Sequence, residues 1–125
     1  MDFIHTNYPV ENEYPKLVRD RIPEIIKKNE GVEAKTRILD NDAEFLDALL
    51  QKMVEESVEL KNSVKNGNLE EELADVFEII SAILALQHKT NDEIIAIQNE
   101  KRIKRGGFEK RILMLAPAKR PPASG

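Results

Sequence analysis

Residues 55–78 read EESVELKNSVKNGNLEEELADVFE. Two acidic stretches with interspersed aliphatic residues flank a short NGN break, a pattern that predicts two helices joined by a tight turn. Gly67 suits the left-handed position that ends a helix. Asn68, with Glu71 three residues on, has the spacing of a capping box that opens the next one. The same signature recurs at Asn41 with Glu44 and at Thr90 with Glu93, and Gly106 marks another stop. Helices are therefore expected near 42–66, 69–88 and 91–105. Upstream, RIPEIIKKNEG predicts a short helix over about 21–30, since Pro23 fits a first helical turn and Gly31 ends it. VEAKTRIL alternates weakly and predicts one short strand at most, about 33–39. The fold class is thus all-α, a bundle of about four helices per chain.

Composition agrees. Apolar residues reach 41%, enough for one real core in 125 residues. The charged share of 34% beside an aromatic share of 5% suits helices better than a β-sandwich. There is no cysteine, which excludes disulfides and thiolate metal sites. The opening MDFIHTNYPVENEYPK has neither a basic start nor a long apolar run. Residues 1–15 are read as an extended segment rather than a signal peptide. No stretch approaches the roughly 18 apolar residues of a membrane span, so no membrane is expected and the cytoplasm is the default location. The last residues, APAKRPPASG over 116–125, predict a disordered tail, leaving 16–115 as the helical domain.

A net charge of −4 argues against a dedicated nucleic-acid binder. Its distribution is more informative. Residues 40–78 carry twelve Asp/Glu against three Lys, and residues 98–125 carry eight Lys/Arg against two Glu. That polarity suits a site handling both a cation and an anion, or else a solvated acidic face and a basic tail.

Helical geometry, at about 100° per residue, sorts the acids. In the predicted helix 42–66, Phe45, Leu46, Leu49, Met53 and Leu60 define an apolar arc. Glu56 points inside it, Glu59 sits at its margin, and Glu55 falls further round, towards solvent. In 69–88 the arc runs through Leu69, Leu73, Val76, Phe77, Ile79, Ile80, Ile83, Leu84 and Leu86 and covers nearly half the circumference. Glu72 lies inside it and Asp75 flanks it. So wide an arc predicts burial on several sides, in a bundle completed as a homodimer or tetramer.

Glu56 with Glu59 and Glu72 with Asp75 are each spaced i,i+3, hence neighbours on one helical surface. An antiparallel hairpin sets Glu59 and Glu72 roughly one turn apart in height, given a rise of ~1.5 Å per residue. Four carboxylates meeting in a partly buried site repel one another, and a divalent cation resolves this. All-oxygen ligation selects Mg²⁺ first and Mn²⁺ second, and disfavours zinc. The competing reading has these acids solvated or paired to Lys52, Lys61 and Lys65. For an anion there are two candidate stretches. Lys16, Arg19 and Arg21 surround the first helical turn, and Lys101 and Arg105 share a face at the end of the last helix, where they could equally complement its dipole.

EESVE followed by ELAD resembles the EExxE…ExxD pattern of MazG-like nucleotide pyrophosphohydrolases, an all-α family. KLVRDRIPEII and RGGFEKRI resemble its single-domain branch labelled phosphoribosyl-ATP pyrophosphohydrolase-like, and the likeness runs from about Tyr14 to Leu115. The resemblance implies a Mg²⁺-dependent enzyme cleaving a nucleoside triphosphate between the α and β phosphates, giving the monophosphate and pyrophosphate. It puts the metal ligands at Glu56, Glu59, Glu72 and Asp75, and makes Glu55 and Glu56 the catalytic candidates. Lys101, Arg105, Lys16 and Arg19 become the phosphate binders. The Tyr-His pair that histidine-pathway members carry after the acidic motif is missing from ADVFEII, which favours a housekeeping hydrolase over phosphoribosyl-ATP as substrate. A non-catalytic helical dimerisation module is the remaining alternative. With no Trp in the chain, base stacking falls to Phe45, Phe77, Phe108 or Tyr14, and the phenylalanines read as core.

Overall fold

The computed structural model describes residues 14–122. The expected extended segment 1–15 therefore lies almost wholly outside the described residues, as does the end of the expected tail; residues 116–122 belong to no helix. Four helices follow in order: α1 (Ile22–Glu30), α2 (Asp42–Asn66), α3 (Leu69–Leu86) and α4 (Asn91–Arg105). Among the described residues there is no strand. The stretch 33–39 is irregular, since an extended segment without a neighbour leaves its backbone groups unpaired. Ion pairs tie it down instead, Lys27 to Glu33 at 2.6 Å and Arg37 to Glu44.

The helix ends follow local chemistry. The Asn41 side chain accepts from the Glu44 backbone N–H at 3.0 Å, opening α2 as expected. Gly67, at φ 73°, closes it with its N–H on the Ser63 carbonyl. Two boundaries differ from expectation. Asn68 does not cap α3; its amide reaches Glu72. And α3 stops at Leu86, because His88 takes the left-handed conformation (φ 55°) that normally falls to glycine. The His88 and Lys89 N–H groups then bond back to the Ala85 and Leu84 carbonyls, the Schellman closure of a helix.

The chain divides into two compact units, one running through Asn91 and the other starting at Asp92. In the first, α2 and α3 form an antiparallel hairpin across the Gly67–Asn68 turn. Leu49 and Ile79 are its buried apolar residues, with Ser63 fully buried beside the turn. The α3 arc is only partly covered within this chain: Leu69, Leu73, Phe77 and Ile80 remain exposed. In the second unit, the Gly106 N–H closes α4 on the Arg102 carbonyl, and Arg102 pairs with Glu109 beyond the turn. Phe77 (68% exposed) and Phe108 (97%) are outside the core, contrary to their sequence reading. No helix among the described residues is long and apolar enough to cross a membrane.

Candidate metal centre

The hairpin brings three carboxylates together. Glu56 and Glu59 lie one turn apart on α2, and Glu72 faces them from the first turn of α3, with one oxygen from each within 4.8 Å of the others. Glu56 is buried, at 7% exposure, and its Oε2 has no hydrogen-bond partner. The Oε2 of Glu72 is likewise buried without a partner. Its other oxygen accepts from Asn68 Nδ2 at 3.3 Å, which fixes the side chain from the turn. A hollow of about 360 Å³ opens beside the cluster, lined by Glu59, Asn62, Ser63, Asn66, Asn68 and Glu72.

Crowding shows in the acidities. The Glu56 carboxyl is pushed up to about 8, first by burial and then by Glu59, Glu72 and Asp75. Glu72 is raised as well, again first by burial, then by the Glu59 and Asp75 charges. Carboxylates this close can share a proton or a cation, but cannot all ionise cheaply. The donor set is all oxygen, two of its atoms are buried and unpaired, and the charge is negative. That combination fits a hard divalent ion such as Mg²⁺.

The remaining sequence candidates divide. Asp75 is near enough to raise both glutamates, yet its own oxygen is held at 2.6 Å by Arg19, whose guanidinium also reaches Glu78 at 3.9 Å. Three of the four anticipated ligands therefore converge, while the fourth is engaged by an anticipated phosphate binder. Glu55 corrects the helical-wheel reading. It does not face solvent but is buried at 3% exposure, paired to Lys52 Nζ at 3.3 Å. Lys16 places its ammonium 5.1 Å from the Tyr14 ring centre. Lys101 and Arg105 are exposed on α4, in the second unit. Two residues support the acids: Asn68, whose bond to Glu72 the capping expectation did not foresee, and Lys52, which pairs as the competing reading had it. Each lies three or four residues from the acid it contacts, and that helical spacing was the available signal.

No protein-family model matches this chain, and no match was found among curated proteins or solved structures.

Proposed function

We propose that the chain is a Mg²⁺-dependent nucleoside triphosphate pyrophosphohydrolase of MazG-like type. The observation that carries the reading is the convergence of Glu56, Glu59 and Glu72 from two helices, with buried unpaired oxygens on Glu56 and Glu72. Crowded, buried carboxyls of this kind are costly to ionise, and a cation offsets the cost. In this reading Glu56, Glu59 and Glu72 hold Mg²⁺, with Mn²⁺ as its substitute. When bound, the ion neutralises charge on the phosphate oxygens and acidifies a water. Arg19 stands at the margin of the acids through its bond to Asp75, which supports a phosphate-binding role for its guanidinium. It binds the phosphate oxygens and stabilises the pyrophosphate leaving group. The resemblance assigns Lys16 to phosphate as well.

A product-resolved panel of standard, deoxy and damaged nucleoside triphosphates, with phosphoribosyl-ATP included, tests the activity. The expected result is pyrophosphate together with a monophosphate, only when Mg²⁺ or Mn²⁺ is present. Orthophosphate as the product would sink the reading in favour of a different phosphohydrolase, and no turnover of any substrate by folded protein would sink it in favour of the non-catalytic module.

The same reading makes the chain a homodimer or tetramer. Leu69, Leu73, Phe77 and Ile80 supply its support, since a lone monomer rarely leaves such an apolar face in water. Sedimentation is expected to give an oligomer for the wild type and a smaller species for Phe77→Asp. A monomeric wild type would remove this part of the proposal.

A further inference from the structure

We infer that Lys52 is a positioning residue of the acidic centre, bracing Glu55 and Glu56 together so that the Oε2 of Glu56 is left for the cation. The inference rests on the metal-binding reading above and gives it a supporting residue outside the acidic motif. Lys52 precedes Glu55 by three positions and Glu56 by four, so all three lie on one stretch of the α2 surface. Its ammonium is 3.3 Å from Glu55 Oε2 and 4.0 Å from Glu56 Oε1. The second distance is too long for a hydrogen bond but short enough for charge to act. Lys52 is itself largely covered, with a side-chain exposure of 22%, so the contact is not an ordinary solvated surface pair.

The arrangement separates the roles of two adjacent acids. Glu55 is buried and already neutralised by Lys52, which removes it from the cation's donor set. Glu56 is drawn to Lys52 through Oε1 only, while Oε2 has no partner. One ammonium thus draws the ionised side chain by one oxygen and leaves the other open, as outer partners commonly do for metal-ligating groups.

Charge alone predicts the opposite of positioning. A lysine beside a cation site repels the ion, so removing it should tighten binding. If Lys52 acts by holding Glu56, removing it should loosen binding. Mn²⁺ titration followed by electron paramagnetic resonance on the full chain reads the sign. Lys52→Met is expected to bind Mn²⁺ about tenfold or more weakly than wild type, and Lys52→Arg to stay within about threefold. Lys52→Met leaves Glu55 buried without its partner and can fail to fold. The double variant K52M/E55Q removes both charges, and it should bind about tenfold more weakly than E55Q alone. A purely structural lysine would lower the unfolding temperature of these variants without moving the Mn²⁺ affinity. Binding by Lys52→Met, or by the double variant against E55Q, that is equal or tighter overturns the inference alone. A wild type that binds no Mn²⁺ overturns the metal-binding reading, and the inference with it.

Discussion

Glu56→Gln is expected to unfold at a higher temperature than the wild type in metal-free buffer, and to lose the further rise that Mg²⁺ gives the wild type. Both effects have one origin. In the folded protein the Glu56 carboxyl keeps its proton up to about 8, whereas in the unfolded chain it loses it near its ordinary value of 4.5. The folded state therefore binds the extra proton between those limits, and stability contributed by this group falls as pH rises through the window. Near neutral pH the accumulated penalty is on the order of 3 kcal/mol, at ~1.4 kcal/mol per unit. Glutamine has the same shape and similar helix propensity, and it carries no such penalty. Its amide can donate to Glu59 or Glu72 in the proton's place. A gain of that order corresponds to a rise of about ten degrees or more in a small domain, at about 4–8 °C per kcal/mol. With Mg²⁺ the order reverses. A ligand bound only by the native state stabilises it by mass action, and the variant has lost a ligand oxygen. Pyrophosphate release should fall with it, by about a hundred- to a thousandfold, the scale set by removing one electrostatic contact to a transition state. Circular dichroism melts with EDTA and with saturating Mg²⁺ read both effects on unchanged helicity. A variant less stable than wild type without metal, or one that keeps the full Mg²⁺ rise, would show that Glu56 is not a desolvated ligand.

Much of this was legible from local pattern. The helices were readable because α2 carries its own start and stop signals, Asn41 with Glu44 and Gly67. The place where α3 ends was not, because a histidine does the work usually done by glycine, and its left-handed backbone is permitted by context. The convergence of Glu56, Glu59 and Glu72 followed from helical phase together with a two-residue turn. Glu55 shows the limit of that method. A helical wheel gives direction around an axis but not depth, and it cannot tell which neighbours cover a position. Glu55 is buried although its arc is polar, and Lys52 balances its charge. The Arg19–Asp75 pair spans 56 positions in the chain, so no local period could announce it. The open face of α3 has the complementary cause: its apolar width is in the sequence, but whatever covers it is not part of this chain's own hairpin.

The stabilisation that Mg²⁺ confers on the wild type should grow between about pH 6 and about pH 8 and then level off, because the cation must displace a proton held at about 8. Burial and neighbouring carboxylates raise Glu72 as well as Glu56, so the proton belongs to the pair facing each other across the hairpin. Below about 8 Glu56 keeps its proton in the metal-free protein, and the apparent affinity for the ion should rise up to about tenfold per pH unit. Above that value the proton is already gone, and the affinity should no longer change. Without metal the sign is opposite, since over the same interval the folded protein keeps a proton that the unfolded chain has already released, and stability drops. The melting temperatures with and without Mg²⁺ should therefore diverge as pH increases. Calorimetric titration in two buffers of different ionisation enthalpy counts the displaced proton directly. Near neutral pH close to one proton per bound ion is expected, falling towards none well above about 8. Parallel melting curves across the interval, with no proton released, would mean that the carboxylates are ionised before the ion arrives. The crowding of Glu56, Glu59 and Glu72 would then not be what draws a cation to the hairpin.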